Sequence, residues 1–195
     1  MILPAAIVIA LITAAVRGGS LRHLADLRLR FGWMFLLAFF LQAYVVYFPA
    51  GKDTAAFDIG RGLLVSSYLL LLMAVCLNWH LAAMRLLGPG LILNFVAILA
   101  NGGYMPVAPE SLTQSGYQNL VSVLEPGSRV FLTKDVLIPR DEIQLYALGD
   151  IFVLPLPKPI ASVFSPGDVL IAIGTFLLIQ TGLSGQRRRV GYAFH

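Results

Sequence analysis

Charge is scarce in this sequence. Asp, Glu, Lys and Arg make up 12% of its 195 residues, about half the share of roughly 25% usual in soluble domains. That scarcity excludes an ordinary solvated surface. Cysteine is scarcer still: the single Cys76 lies in LLLLMAVCLNWH, which excludes an intrachain disulfide framework, a thiolate metal site and a CxxC redox centre. It reads as a small buried apolar residue. The three histidines, His23, His80 and His195, are scattered without ligand spacing, so no metal is expected. There is no evident nucleophile and no phosphate-cradling glycine loop, so no cofactor is expected either. The net charge of +4 comes from arginines in short clusters beside apolar runs. With no interleaved aromatic platform, that pattern speaks against nucleic acid as a partner.

What the chain has in excess is apolar sequence, 58% of its residues, with a mean hydropathy of +0.81. Five apolar runs stand out: Ile2 to Val16, Phe31 to Phe48, Gly62 to Asn78, Pro89 to Met105 and Val169 to Leu183. Each is near the lower limit of roughly 17 to 25 residues for a spanning helix. The first run resembles a signal peptide in position, but its arginine follows the apolar core instead of preceding it, so it is read as a retained span. The expected fold class is an all-α integral membrane protein, a single domain of about five spans over residues 1–195 with membrane lipid as its surroundings.

Arginines set the orientation. RGGSLRHLADLRLR after the first span and GQRRRVGYAFH after the last fall on one side of a five-span chain. Positive-inside charge places both in the cytoplasm and the N-terminus outside. The links between spans two and three and between three and four are short, as between antiparallel neighbours. The connection from Pro106 to Pro166 is different, since it holds eight of the eleven prolines and is too long for an ordinary connector. Its apolar content argues against disorder. We expect a folded, proline-rich cap on the outer face, in which SLTQSGYQNLVSVL forms one amphipathic helix. A re-entrant or sixth span near Ile143 to Leu156 is the alternative.

The fourth run ends in ANGGYMPVAPES, where Asn101, Gly102, Gly103 and Pro106 break the helix at a depth where backbone groups need partners. Asn94 and Asn101 are seven residues apart, so both leave one helix face. Gln42, Tyr44, Ser66, Ser67, Asn78, Gln180 and Thr181 supply further polar groups from other spans. Two readings compete: interhelical hydrogen bonds that hold the helices together, or an outward-facing polar site with Asn94, Asn101, Gly102 and Gly103 as ligand-binding residues. Two acids add to the second. Asp168 follows Ser165, Pro166 and Gly167 at a helix entry, where it would also serve as a cap, and Asp150 sits in apolar YALGDIFVLP, where a charge needs a reason. Meeting at the mouth of the spans, Asp150 and Asp168 could share a proton in catalysis or bind a cation.

The blocks ANGGYMPV, LGDIFVLPLP and SPGD, in that order, resemble an uncharacterised bacterial family of multi-pass membrane proteins known as a domain of unknown function. The resemblance covers most of the chain and implies a bacterial plasma membrane, with no activity attached. A fainter likeness is to lipoprotein signal peptidase, a small helical bundle with two catalytic aspartates near the outer face. Asn101-Gly102-Gly103 and the block around Asp168 look similar, and Asp150 would be the second acid. Ser165 and Gly167 depart from that family's Asn and Ala, and its Gly-Asn-x-x-Asp-Arg stretch has no counterpart here. The expected function is a non-enzymatic subunit or lipid- or small-ligand-binding module, associating with membrane lipid and with other membrane-protein subunits. The alternative is an aspartate-dependent intramembrane hydrolase.

Overall fold

The computed structural model describes residues 2–20, 29–48, 59–157 and 161–183. His23, His195 and most of the flanking arginines of the orientation argument lie outside them. Among the described residues there are five long helices: α1 (Ile2–Val16), α2 (Trp33–Tyr47), α3 (Ile59–Leu77), α4 (Met84–Ala100) and α7 (Pro166–Leu183). Between α4 and α7 lie β1 (Met105–Val107), α5 (Pro109–Gln114), α6 (Gln118–Val121), β2 (Asp135–Leu137), a 3-10 turn (Tyr146–Leu148), β3 (Phe152–Leu154) and β4 (Ser162–Phe164). The chain is therefore mostly helical without being all-α. Two of the helices, α3 and α7, are long and apolar enough to cross a membrane by length and composition. The other three are apolar and shorter, at 15 to 17 residues.

The long helices stand in a row in which α7 packs between α1 and α4, α4 packs on α3, and α3 on α2. Their directions alternate in chain order, so that α1 and α7, neighbours in the row, run the same way, as two sets of contacts show. At one end Asn78, just past α3, holds the segment leading into α2: its Nδ2 donates to Arg30 O at 2.9 Å and its Oδ1 accepts from Arg30 N at 2.8 Å. The same end carries Ser20 N donating to Leu183 O. At the other end lie the C-terminus of α4, the N-terminus of α7 and the segment between them. Gln42 of α2 donates to Ser67 of α3 at 3.1 Å, and Gln180 of α7 to Ala10 O of α1 at 2.7 Å. These polar groups join helices. Tyr44, Ser66 and Thr181 instead face outward, and Thr181 bonds carbonyls of its own helix. Cys76 is also exposed, not buried as its neighbours in sequence imply.

Helix α4 starts before Pro89 and contains it. It ends at Ala100, where Gly102 and Gly103 both have positive φ, +76° and +97°, and Gly103 N donates to Ile98 O at 2.8 Å. That bond is the six-to-one closure of a Schellman turn, which requires a left-handed residue after the cap. The helix stop in the sequence is thus a backbone turn that leads directly into β1.

The segment between α4 and α7 folds on its own small core of Val107, Leu112, Val130 and Leu137. Strands β1 and β2 pair in parallel, β3 and β4 antiparallel, and Val107 forms a further bridge with Asp150. The single amphipathic helix expected over 111–124 is instead two short helices, because the chain reverses at Gly116 with Tyr117 N bonded to Leu112 O and Gly116 N to Thr113 O. Ile143 to Leu156 forms no spanning helix; its residues make the 3-10 turn and β3.

Candidate functional site

The N-terminus of α7 is built by the sequence Ser165-Pro166-Gly167-Asp168. Ser165 Oγ accepts from Asp168 N at 3.0 Å, and Asp168 Oδ2 accepts from Ser165 N at 3.4 Å. This is a capping box, with proline at the first helical position where its missing N–H costs nothing. Asp168 is therefore the cap that its position implies, but only one of its oxygens serves that role. Its Oδ1 faces α4, where Asn94 Nδ2 donates to it at 2.7 Å, while Asn94 Oδ1 accepts from Ser165 Oγ at 2.7 Å. The two helices come this close because glycines face each other: a Cβ on Gly90 would stand 2.7 Å from Gly167 O, and one on Gly167 2.6 Å from Gly90 O.

A third element supplies the counter-charge. Met105 N bonds Lys134 O at 3.1 Å, which brings the residues before β2 against the end of α4. The Lys134 ammonium then lies 3.6 Å from Asp168 Oδ1 and donates to the Tyr68 hydroxyl of α3 at 3.0 Å. Tyr68 is itself stacked on Phe95 of α4. Burial works against the Lys134 charge, but Asp168, Tyr68 and Asp150 outweigh it and hold the amine well above its usual range. That direction favours the ammonium form of Lys134.

Two further carboxylates surround this pair. Asp135, buried in β2, is pushed up to about 6 by burial, with Lys134 opposing and Asp168 adding to the rise. Asp150, also buried, is held beside β1 by its N–H on Pro106 O at 3.1 Å. Burial first, then the charges of Asp135 and Asp168, raise its carboxyl well above the ordinary range, with Lys134 opposing. Asp150 Oδ1 is buried and has no hydrogen-bond partner. Among the described residues, no three acid, histidine or cysteine side chains converge to hold a metal ion.

The structure therefore brings Asn94, Asp150 and Asp168 into one neighbourhood. Asn101 does not share it. Although it is two turns from Asn94, it lies at the C-cap of α4, where its amide donates to Ala97 O and Gln144 O and its Oδ1 accepts from Gln144 N. Gly102 and Gly103 lie next to Arg61 at the start of α3. These three residues tie the α4 terminus to the segment beyond it. Reading the sequence for a site missed Lys134, Asp135 and Tyr68. A signal was available in FLTKDVLI, where two adjacent charges interrupt an apolar strand and need partners.

No curated protein and no solved structure matches the chain. A family model does, over residues 26–180, and its description is a family of unknown function. That match takes in α2, α3, α4, the whole segment between α4 and α7, and most of α7, hence every residue of the acid–lysine cluster, and the chain belongs to this family, DUF5317.

Proposed function

We propose that the chain is a five-span module of a bacterial plasma membrane, with its N-terminus outside and the segment 105–165 as an outer cap. The site at the junction of cap and helices binds an ammonium group, carried by a small molecule or by a lipid headgroup. The alternating directions of the five helices and the arginine-rich flanks support the membrane reading. One observation carries the ligand reading: Asp150 keeps a buried oxygen without a donor, in a neighbourhood of three carboxylates and one ammonium. A buried acceptor in that state lacks a partner that a positively charged N–H donor would supply. Thermal unfolding of the purified protein tests it. Ethylamine, or phosphatidylethanolamine replacing phosphatidylcholine in nanodiscs, is expected to raise Tm for the native chain and not for Asp150→Asn. A shift with ethylamine alone points to a soluble ligand, a shift with the lipid alone to a headgroup. No shift with either sinks the ligand reading.

A second reading, an aspartate-dependent hydrolase, is favoured by the inequality of the two acids: burial favours the neutral form of Asp150, whereas Asp168 is paired with an ammonium. Such a pair can divide acid and base work. Under this reading Asp150→Asn and Asp168→Asn each abolish complementation of a deletion strain while the protein accumulates normally. Complementation by both variants removes it.

A further inference from the structure

Residues 127–137 form a β-hairpin: Gly127 N bonds Leu137 O, Leu137 N bonds Ser128 O, and Val130 N bonds Asp135 O. Its direction follows from β1. That strand leaves the end of α4, and β2 runs parallel to it with Asp135 opposite Met105 and Leu137 opposite Val107. The base of the hairpin therefore points away from the helices, and its tip, 131–134, points toward them. The tip divides by side. Lys134 turns inward to Tyr68 and Asp168, and Tyr68 lies nine residues into α3, about 13 Å along its axis from Ile59. Phe131 and Leu132 remain 67% and 51% exposed.

Several contacts fix the depth and shape of that tip. The Arg129 guanidinium donates to Val45 O, in the last turn of α2, at 2.7 Å and to Thr133 O at 3.1 Å. It also covers the ring of Tyr104 at 4.7 Å. Thr133 Oγ1 donates to Val130 O and accepts from Asp135 N. Leu132 sits at φ +58°, a conformation uncommon for a leucine. The strained, bonded turn thus presents two apolar side chains at the level of the α2 terminus. The surface there is aromatic, with Tyr44, Tyr47 and Phe48 exposed and Tyr44 stacked on Phe48. Aromatic residues at a helix end beside a cation are the pattern of a membrane–water boundary.

We infer that Phe131 and Leu132 insert into the outer leaflet, so that the hairpin anchors the cap to lipid on one side while Lys134 closes the helices on the other. This rests on the membrane reading proposed above. Continuity with the exposed apolar face of α2, which carries Leu36, Phe39 and Phe40, identifies the occupant as lipid. Spin labels on Phe131→Cys, Leu132→Cys, Phe39→Cys and Glu125→Cys, each in a Cys76→Ala background in proteoliposomes, test it. Collision with oxygen, which partitions into lipid, is compared with collision with a water-soluble nickel chelate. Labels at 131 and 132 are expected to favour oxygen, as at 39, and the label at 125, near the hairpin base, to favour nickel. Nickel-dominated relaxation at 131 and 132, with 39 still in lipid, overturns the insertion and leaves the membrane reading standing. Nickel dominance at 39 as well overturns both.

Discussion

Asn94 of α4 donates to Asp168 of α7 at 2.7 Å, and the asparagine is completely buried. Its other amide atom receives Ser165 Oγ, so one side chain binds both members of the α7 capping box. Removing it would leave a carboxylate oxygen and a serine hydroxyl without their partner on α4. The contact exists because two glycines let the helix backbones meet.

Gly167→Ala tests that dependence. The added carbon would collide with the Asn94 amide and with Gly90 O, both held in place, so overpacking of at least about 1–3 kcal/mol is expected. Gly62→Ala, where a Cβ meets nothing within 4 Å, is the control. Equal Tm for the two variants would show that the helices do not cross at Gly90 and Gly167.

Charge pairing is separable from capping at Asp168. Asn supplies the same cap acceptor, so a purely capping role predicts almost no loss for Asp168→Asn. The structure predicts a loss of about 1–3 kcal/mol, because Lys134 is left among partly buried surroundings without its carboxylate. Lys134→Met combined with Asp168→Asn should recover part of that loss. Additive losses in the double variant would mean that the pair contributes nothing.

Acid should stabilise the fold. Asp135 titrates at about 6 in the folded chain against about 4 unfolded. Between those values the folded state retains a proton that the unfolded chain has released. Stability therefore falls as pH rises through that window, by about 2–3 kcal/mol, and this contribution is constant above it. Asp150, raised for the same main reason, contributes in the same direction. In Asp135→Asn the loss of Tm from pH 4 to pH 6 should be smaller. A native Tm that climbs over that range contradicts the buried environment assigned to these acids.

The turn after α4 should resist substitution. Gly102→Val places a β-branched residue at φ +76° and is expected to cost about 1–3 kcal/mol. Asn101→Ala loses the bonds to Ala97 and Gln144, for about 1–2 kcal/mol. Native Tm for both variants would show that the turn does not join α4 to the segment beyond.

The sequence by itself determined the five apolar helices, the break at Asn101-Gly102-Gly103 and the cap at Ser165-Pro166-Gly167-Asp168. Each is local: a run of apolar residues, a residue able to take positive φ, or a hydroxyl and carboxylate three residues apart. Gly116 is equally local, and reading 111–124 by periodicity alone overlooked its power to split a helix. Asn94 and Asn101 show where local reasoning stops. Their spacing puts them on one helix face, but α4 ends between a neighbouring helix and the following loop, so one asparagine bonds α7 and the other bonds Gln144. Only tertiary structure placed α7 between α1 and α4, since helices of similar apolar surface have no sequence mark that assigns neighbours. Lys134 was likewise invisible as a partner of Asp168. Its position depends on the parallel pairing of β2 with β1, a long-range register that carries the hairpin tip down to Tyr68 and completes a cluster drawn from five separate parts of the chain.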